Sequence, residues 1–206
     1  MRDVSAKCRK CRREGEKLFL KGERCHTQKC AVVRRFAKPG QKQNSRAGKL
    51  SEFGKQLREK QKAKRMYGLS EKTFVNYFKK ASQRKGATGD NFLKLLELRL
   101  DNIVYRAGLA DSRAAARQMV SHGIFEINNK KVNIPSILLK PGQKISIVAK
   151  HAAHPVLKKI SERKFSPPKW LKLDASKMIV EVERFPETDE TENSIVVSLI
   201  VEFYSR

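Results

Sequence analysis

Four cysteines sit within the first thirty residues, at Cys8, Cys11, Cys25 and Cys30, and no other residue of the chain is a cysteine. They form two pairs, Cys8-x2-Cys11 and Cys25-x4-Cys30, separated by thirteen residues. Two thiolate pairs on tight turns, joined by a short loop, can close a tetrahedron around zinc. A disulfide scaffold needs an oxidising compartment, and the polar start MRDVSAKCRK does not read as a signal peptide. A catalytic thiol needs one nucleophile and a partnered base, and four paired thiols exceed that need. Catalytic zinc keeps an open position and uses His or carboxylate ligands, and only His26 is near. The spacing therefore predicts one structural zinc held by Cys8, Cys11, Cys25 and Cys30; four reduced, unliganded thiols are the alternative. Arg9, Lys10, Arg12, Arg13, Lys21, Arg24 and Lys29 surround the ligands, where they would favour thiolate and attract phosphate.

The charge of the whole chain points to the same partner. Lys and Arg number 46 against 21 acids, for a formal net charge of +25. Self-repulsion of that size calls for a polyanion, and nucleic acid leads because phosphate neutralisation releases counterions whatever the base sequence. An anionic membrane surface is the weaker alternative. No apolar run reaches the length of a membrane span, so a soluble intracellular protein is expected. Between Arg34 and Arg65 the only acids are Glu52 and Glu59, whereas residues 181–192 hold six acids and one base. One face for polyanion and another for something else follows from that polarity.

Other chemistry is sparse. His151 and His154 are spaced i, i+3 but stand in a loop without a third ligand, so neither is assigned a metal. No glycine-rich phosphate loop and no nucleophile elbow is present.

The elements that must position these groups are legible from period and punctuation. Residues 31–48 lack a helical period, carry Pro39, Gly40 and Gly48, and read as a basic linker ordered only against its partner. Residues 50–66 read as a helix with Leu50, Phe53 and Leu57 on its apolar face. Ser70 caps the next, whose Phe74, Tyr77, Phe78 and Ala81 form a core stripe rather than a base-stacking platform. Asp90 is expected to cap a third helix that breaks near Leu98–Asp101 and stops at Gly108. Ser112 caps a short helix ending at Gly123. The period then becomes two: IFEI and KVNI flank the turn Asn128-Asn129, and KISIVA, LKLD and MIVEVERF follow as strands. Pro155 is expected to open a helix, PVLKKISER. The tail ENSIVVSLIVEFYSR reads as strand by propensity alone. The fold class is α+β.

Within 99–147, RLDNIVYRAG, SRAAARQMVSHG, INNKKV, PS and PGQKISI give two short helices and a tight hairpin. Basic side chains on such a small rigid body suit the phosphates and grooves of folded RNA. The block resembles the small RNA-binding module named after ribosomal protein S-four. One mild departure is Asn129, where that family usually has Gly. The cysteine pairs with GEKLFLKGERC, the PGQ at 39–41, LSEFGKQLREKQKAKRMYGLSEKTF and the C-terminal IVEFYSR extend the similarity to the S-four family of bacterial small-subunit ribosomal proteins over essentially the whole chain.

The resemblance implies a structural, early-binding assembly protein of the small ribosomal subunit that contacts 16S rRNA at a multi-helix junction in its 5′ domain. It further implies ribosomal protein S-five as a neighbour, a shared role in decoding accuracy, and proximity to the channel by which messenger RNA enters. The setting is the cytoplasmic ribosome. It implies a zinc-binding segment and basic linker at 1–44 and a helical domain at 45–98. That domain is joined by the tail 191–206, which ends in a short helix, and the RNA-binding module at 99–190 is inserted between them.

On that reading the phosphate-facing bases of the first half are Arg34, Arg35, Arg46, Lys49, Arg58, Lys60, Lys62, Arg65, Lys79, Lys80 and Lys85. Arg99, Arg106, Arg113, Arg117, His122, Lys130 and Lys131 serve the module, with about half of the set in direct contact. The alternative is an RNA-modifying enzyme. Pseudouridine synthases carry the same module and an Arg-Leu-Asp motif, which recurs here at 99–101; otherwise Asp101 is a helix-surface acid paired with neighbouring arginines. A zinc-dependent DNA reader would place a recognition helix after the cysteines, where this chain has its linker.

Overall fold

A computed structural model describes residues 5–40, 49–151, 166–174 and 176–205. The chain packs as two compact units, residues 1–91 with 194–206, and residues 92–193. The cysteine-bearing segment belongs to the first of these.

The first unit is helical. It contains α1 (Lys7–Glu14), a 3-10 turn (Gly22–Cys25), α2 (Ala31–Arg34), α3 (Glu52–Met66), α4 (Glu71–Ser82), the start of α5 (Thr88–Glu97) and the C-terminal α8 (Val197–Tyr204). Serine caps fix two of these starts: Ser51 Oγ accepts from the Gly54 N–H at 3.2 Å, and Ser70 Oγ from the Thr73 N–H at 3.3 Å. Glu52 in the first turn of α3 and Lys64 and Arg65 in its last complement the helix dipole. On α4, Phe74, Tyr77 and Ala81 are buried, as their period requires.

Two helix faces differ from expectation. Leu50 and Phe53 are 47% and 49% exposed, while α3 buries Gln56, Glu59, Lys60, Lys62, Ala63 and Met66. The reason is α8, which packs along α3 and takes that polar face inward. Gln56 donates to Glu202, the Val196 N–H donates to Glu59, and the Lys60 ammonium lies 4.5 Å from the Phe203 ring centroid. The tail is thus a helix, as the family resemblance implies and against its β-propensity. Ile200 is buried and the Tyr204 ring meets Phe78 at 4.6 Å, contacts that outweigh local preference. Gly89 leaves room for this helix: a Cβ there would come within 2.7 Å of Val197 Cγ1.

α5 begins at Thr88, so Asp90 lies inside its first turn rather than capping it. Residues 31–34 form a short helix capped by Cys30, so the linker is not structureless throughout. Residues 41–48 with Arg46, the helix expected after Pro155, and His154 lie outside the described residues.

The second unit completes α5 and adds α6 (Leu100–Arg106), α7 (Arg113–Ser121) and an antiparallel sheet in the order β2-β1-β3-β5-β4. Its strands are β1 (Phe125–Ile127), β2 (Lys130–Lys131), β3 (Lys144–Ile147), β4 (Leu171–Asp174) and β5 (Ile179–Val182). The break falls between α5 and α6, where extended Arg99 pairs with Leu138 in an isolated bridge. Gly108 and Gly123 take positive φ just beyond α6 and α7, and Asn128 and Asn129, at φ 47° and 63°, make the tight β1–β2 turn. Leu100, Ile103, Val120, Phe125, Ile145, Trp170, Val180 and Val182 fill the core between helices and sheet. The architecture is α+β.

Candidate nucleic-acid interface and cysteine cluster

With no glycine or proline within KCRKCRRE, the first cysteine pair lies on α1, one turn apart on one face, rather than on a tight turn. Gly15, at φ 79°, ends the helix and returns its N–H to the Cys11 carbonyl at 2.9 Å. Cys25 closes the 3-10 turn and Cys30 caps α2. All four thiols are free; Cys11, Cys25 and Cys30 are buried and Cys8 half-buried. They line one small cavity of about 10 Å³, roughly the room of one water-sized sphere, beside Lys7, Leu20, Lys21 and Arg24. Burial pushes the Cys11 thiol up, and the neighbouring Cys25, Cys8 and Cys30 add to that rise, while the Leu18 backbone works against it. Four soft sulfur donors on one cavity fit the four-thiolate set that zinc takes. Among the described residues, however, no group of three or more His, Cys, Asp and Glu side chains is arranged to hold a metal ion.

The predicted bases divide into two populations. Arg34, Arg35, Lys49, Lys79, Lys80, Lys85, His122, Lys130 and Lys131 are exposed. Lys79 and Lys80 end α4, where the chain continues through exposed Arg84, a base that the charge run between Lys80 and Lys85 could have signalled. Lys130 and Lys131 form the edge strand of the hairpin. The stem of Lys131 lies so close over Gly123 that a Cβ there would meet its Cε at 2.7 Å.

The second population is held by carboxylates. Arg99, 1% exposed, is bonded through Nε and Nη2 to Asp101 at 3.0 and 2.8 Å, and Arg117 reaches the same carboxylate at 3.2 Å. Asp101 is therefore a buried acid rather than a helix-surface one, and Arg99 is withdrawn from the RNA-facing set. Arg106 donates to Glu97 at 2.9 and 3.0 Å and to Glu192 at 3.3 Å. Arg113 donates to Asn102 at 2.8 Å and Glu192 at 2.7 Å, with its guanidinium 4.6 Å from the Tyr105 ring centroid. These two arginines bind parts of the second unit together. Arg117 stays 40% exposed and keeps a surface-facing share.

On α3, Lys60 and Lys62 are buried. Lys60 and Lys64 bind Glu71 at 2.6 and 2.7 Å, and Lys62 binds Glu59 at 3.0 Å and Glu16 at 3.4 Å. Burial works to raise the Glu71 carboxyl, but the hydrogen bonds and charges of Lys60 and Lys64 outweigh it and hold the group below the ordinary carboxylate range. Burial, then the Glu71 charge and hydrogen bond, raise the Tyr204 hydroxyl above the usual tyrosine range. Arg58 and Arg65 both meet Glu14. Burial pushes the Glu14 carboxyl up, and Arg65 and Arg58 work against that rise. Sequence reasoning missed the anchoring roles of Glu14, Glu71, Glu97 and Glu192, because sequence-distant pairing leaves no periodic signal.

A strongly basic chain with exposed lysines on a helix end in one unit, and on a hairpin edge of a small two-helix-and-sheet body in the other, belongs to the class of RNA-binding proteins. Residues 2–97 match the model of the ribosomal protein S4/S9 N-terminal domain, and residues 98–145 match the S4 domain. The small ribosomal subunit protein uS4 of Thermodesulfovibrio yellowstonii is 51% identical over 203 residues, covering 97% of this chain and 96% of that protein. Its counterpart in Syntrophomonas wolfei is 50% identical over 201 residues, with the same coverage. The uS4A protein of Alkaliphilus metalliredigens is 50% identical over 206 residues, covering 100% of this chain and 99% of that protein. This chain belongs to the ribosomal protein S4 family.

Proposed function

We infer that the chain is a structural constituent of the small ribosomal subunit, at work in the cytoplasmic ribosome, and that it binds 16S rRNA directly. The observation that carries this is similarity along the full chain to proteins named for that subunit. Exposed bases, among them Lys79, Lys80, Lys85, Lys130 and Lys131, neutralise backbone phosphates and set the register of the protein on folded RNA. The enzyme reading loses its one motif: Asp101 of Arg-Leu-Asp is buried and bound by Arg99 and Arg117, so it has no reach to a substrate base.

Three finer statements belong to the same reading. First, Cys8, Cys11, Cys25 and Cys30 hold one structural zinc, supported by their shared cavity; the ion supplies a cross-link for a segment with little apolar content. Second, the protein binds early in assembly and contributes to decoding accuracy together with ribosomal protein S-five, near the channel by which messenger RNA enters. Third, the acidic stretch 181–192 turns away from RNA towards a basic neighbour; Glu183, Glu187 and Asp189 are exposed there.

Affinity of the full chain for a transcript of the 16S 5′ domain, set against an unrelated RNA duplex at moderate salt, tests the reading. Much tighter binding to the transcript is expected; equal affinities would leave only general polyanion attraction.

A further inference from the structure

Glu14 ends α1 with its side chain only 2% exposed. Its Oε1 accepts from Nη1 of Arg58 at 3.4 Å and from Nη1 of Arg65. Arg58 and Arg65 stand seven residues apart on α3, two turns along one face. Two guanidiniums gathered at a single oxygen repel each other, and a carboxylate between them holds them together.

The accessibility is lopsided. The arginine side chains keep 28% and 23% of their surface, while the acid is sealed behind them. In Arg99–Asp101, by contrast, both partners are buried and the pair acts only within the fold. A guanidinium carries five N–H donors in a fixed plane, and among the described residues Glu14 engages one from each. The remaining donors form two adjacent forks of the kind that grips phosphate oxygens.

We propose that Glu14 is a positioning residue, holding Arg58 and Arg65 as a two-armed clamp for one backbone phosphate of the bound rRNA. The proposal rests on the rRNA-binding reading above. It gives α3 a defined phosphate contact instead of a diffuse basic face. It also links the cysteine-bearing segment to RNA affinity without direct contact, because α1 supplies the carboxylate.

The sign of one substitution separates this from simple charge balance. Glu14→Gln keeps the size and removes a negative charge, so charge counting predicts tighter binding to every RNA. The clamp predicts binding to the 16S 5′-domain transcript weakened by roughly threefold to tenfold, with no loss on an unrelated duplex. Arg58→Gln and Arg65→Gln, which keep Glu14, should each lower the slope of log affinity against log salt, by no more than about one. Because both arms grip one phosphate, the R58Q/R65Q double variant should lose much less than the product of the single losses.

A Glu14→Gln protein that folds and binds the transcript as tightly as the parent, or more tightly, overturns the clamp. If that variant does not fold, independent multiplying losses in the two arginine variants overturn it instead. A parent chain without preference for the transcript overturns the ribosomal reading, and the clamp with it. A selective parent with a tight Glu14→Gln variant removes the clamp alone.

Discussion

Arg99 and Lys130 are both basic residues of one module, and their surroundings give them opposite work. Arg99 is sealed against Asp101, so Asp101→Asn leaves a guanidinium buried without its counter-charge. We predict a loss of about 3–5 kcal/mol in urea unfolding of the full chain, the usual cost of breaking a buried pair from one side. Lys130 is exposed on the hairpin edge; Lys130→Ala should leave stability within about 0.5 kcal/mol and weaken RNA binding instead. Swapped outcomes would reverse the assignments. The cysteines make a third residue-level case. Metal analysis of native protein should return one zinc per chain. Cys8→Ser should raise hydrogen exchange in the N-terminal thirty residues while protection across 99–147 is unchanged. A metal-free native protein would remove the zinc.

Among the elements, α8 depends on partners far away in sequence. Glu71 ties α3 to α4 through Lys60 and Lys64 and accepts from the Tyr204 hydroxyl at 3.2 Å, so one carboxylate serves three helices. Its folded-state pKa is lowered, so the stability it contributes is present above the ordinary carboxylate range and is lost as pH falls through the lowered value. Glu71→Gln should therefore melt below the parent at pH 7, and the gap should close in acid. A gap that persists unchanged at low pH would contradict the role of the ionised carboxylate.

The same helix shows where sequence reading stops. The stripe Phe74, Tyr77, Ala81 was legible because helical period alone places it inward, and the serine caps because their chemistry is local. The inward face of α3 was not. Leu50, just before the helix, and Phe53 stay about half exposed, yet Lys60 and Lys62 are buried alongside Ala63 and Met66, since their partners Glu71, Glu16 and Phe203 come from elsewhere in the chain. Charge pointed to a polyanion partner in outline. Which bases stay available depended on acids such as Glu97 and Glu192, whose pairings no spacing announces.

Across the whole molecule the net charge is +25, and among the described residues carboxylates hold some bases in ion pairs while others stay exposed. The exposed set includes the end of α4 and the β1–β2 hairpin, one in each compact unit. On the proposed reading, specificity for folded RNA would come from many phosphate contacts rather than from a single base-reading helix. The acid-rich stretch 181–192 completes the polarity that the sequence displays. Hydroxyl-radical footprinting of the full chain on the 5′ domain of 16S rRNA tests this account most directly. A compact set of protections around one multi-helix junction is expected at moderate salt, whereas uniform or absent protection would contradict specific rRNA binding.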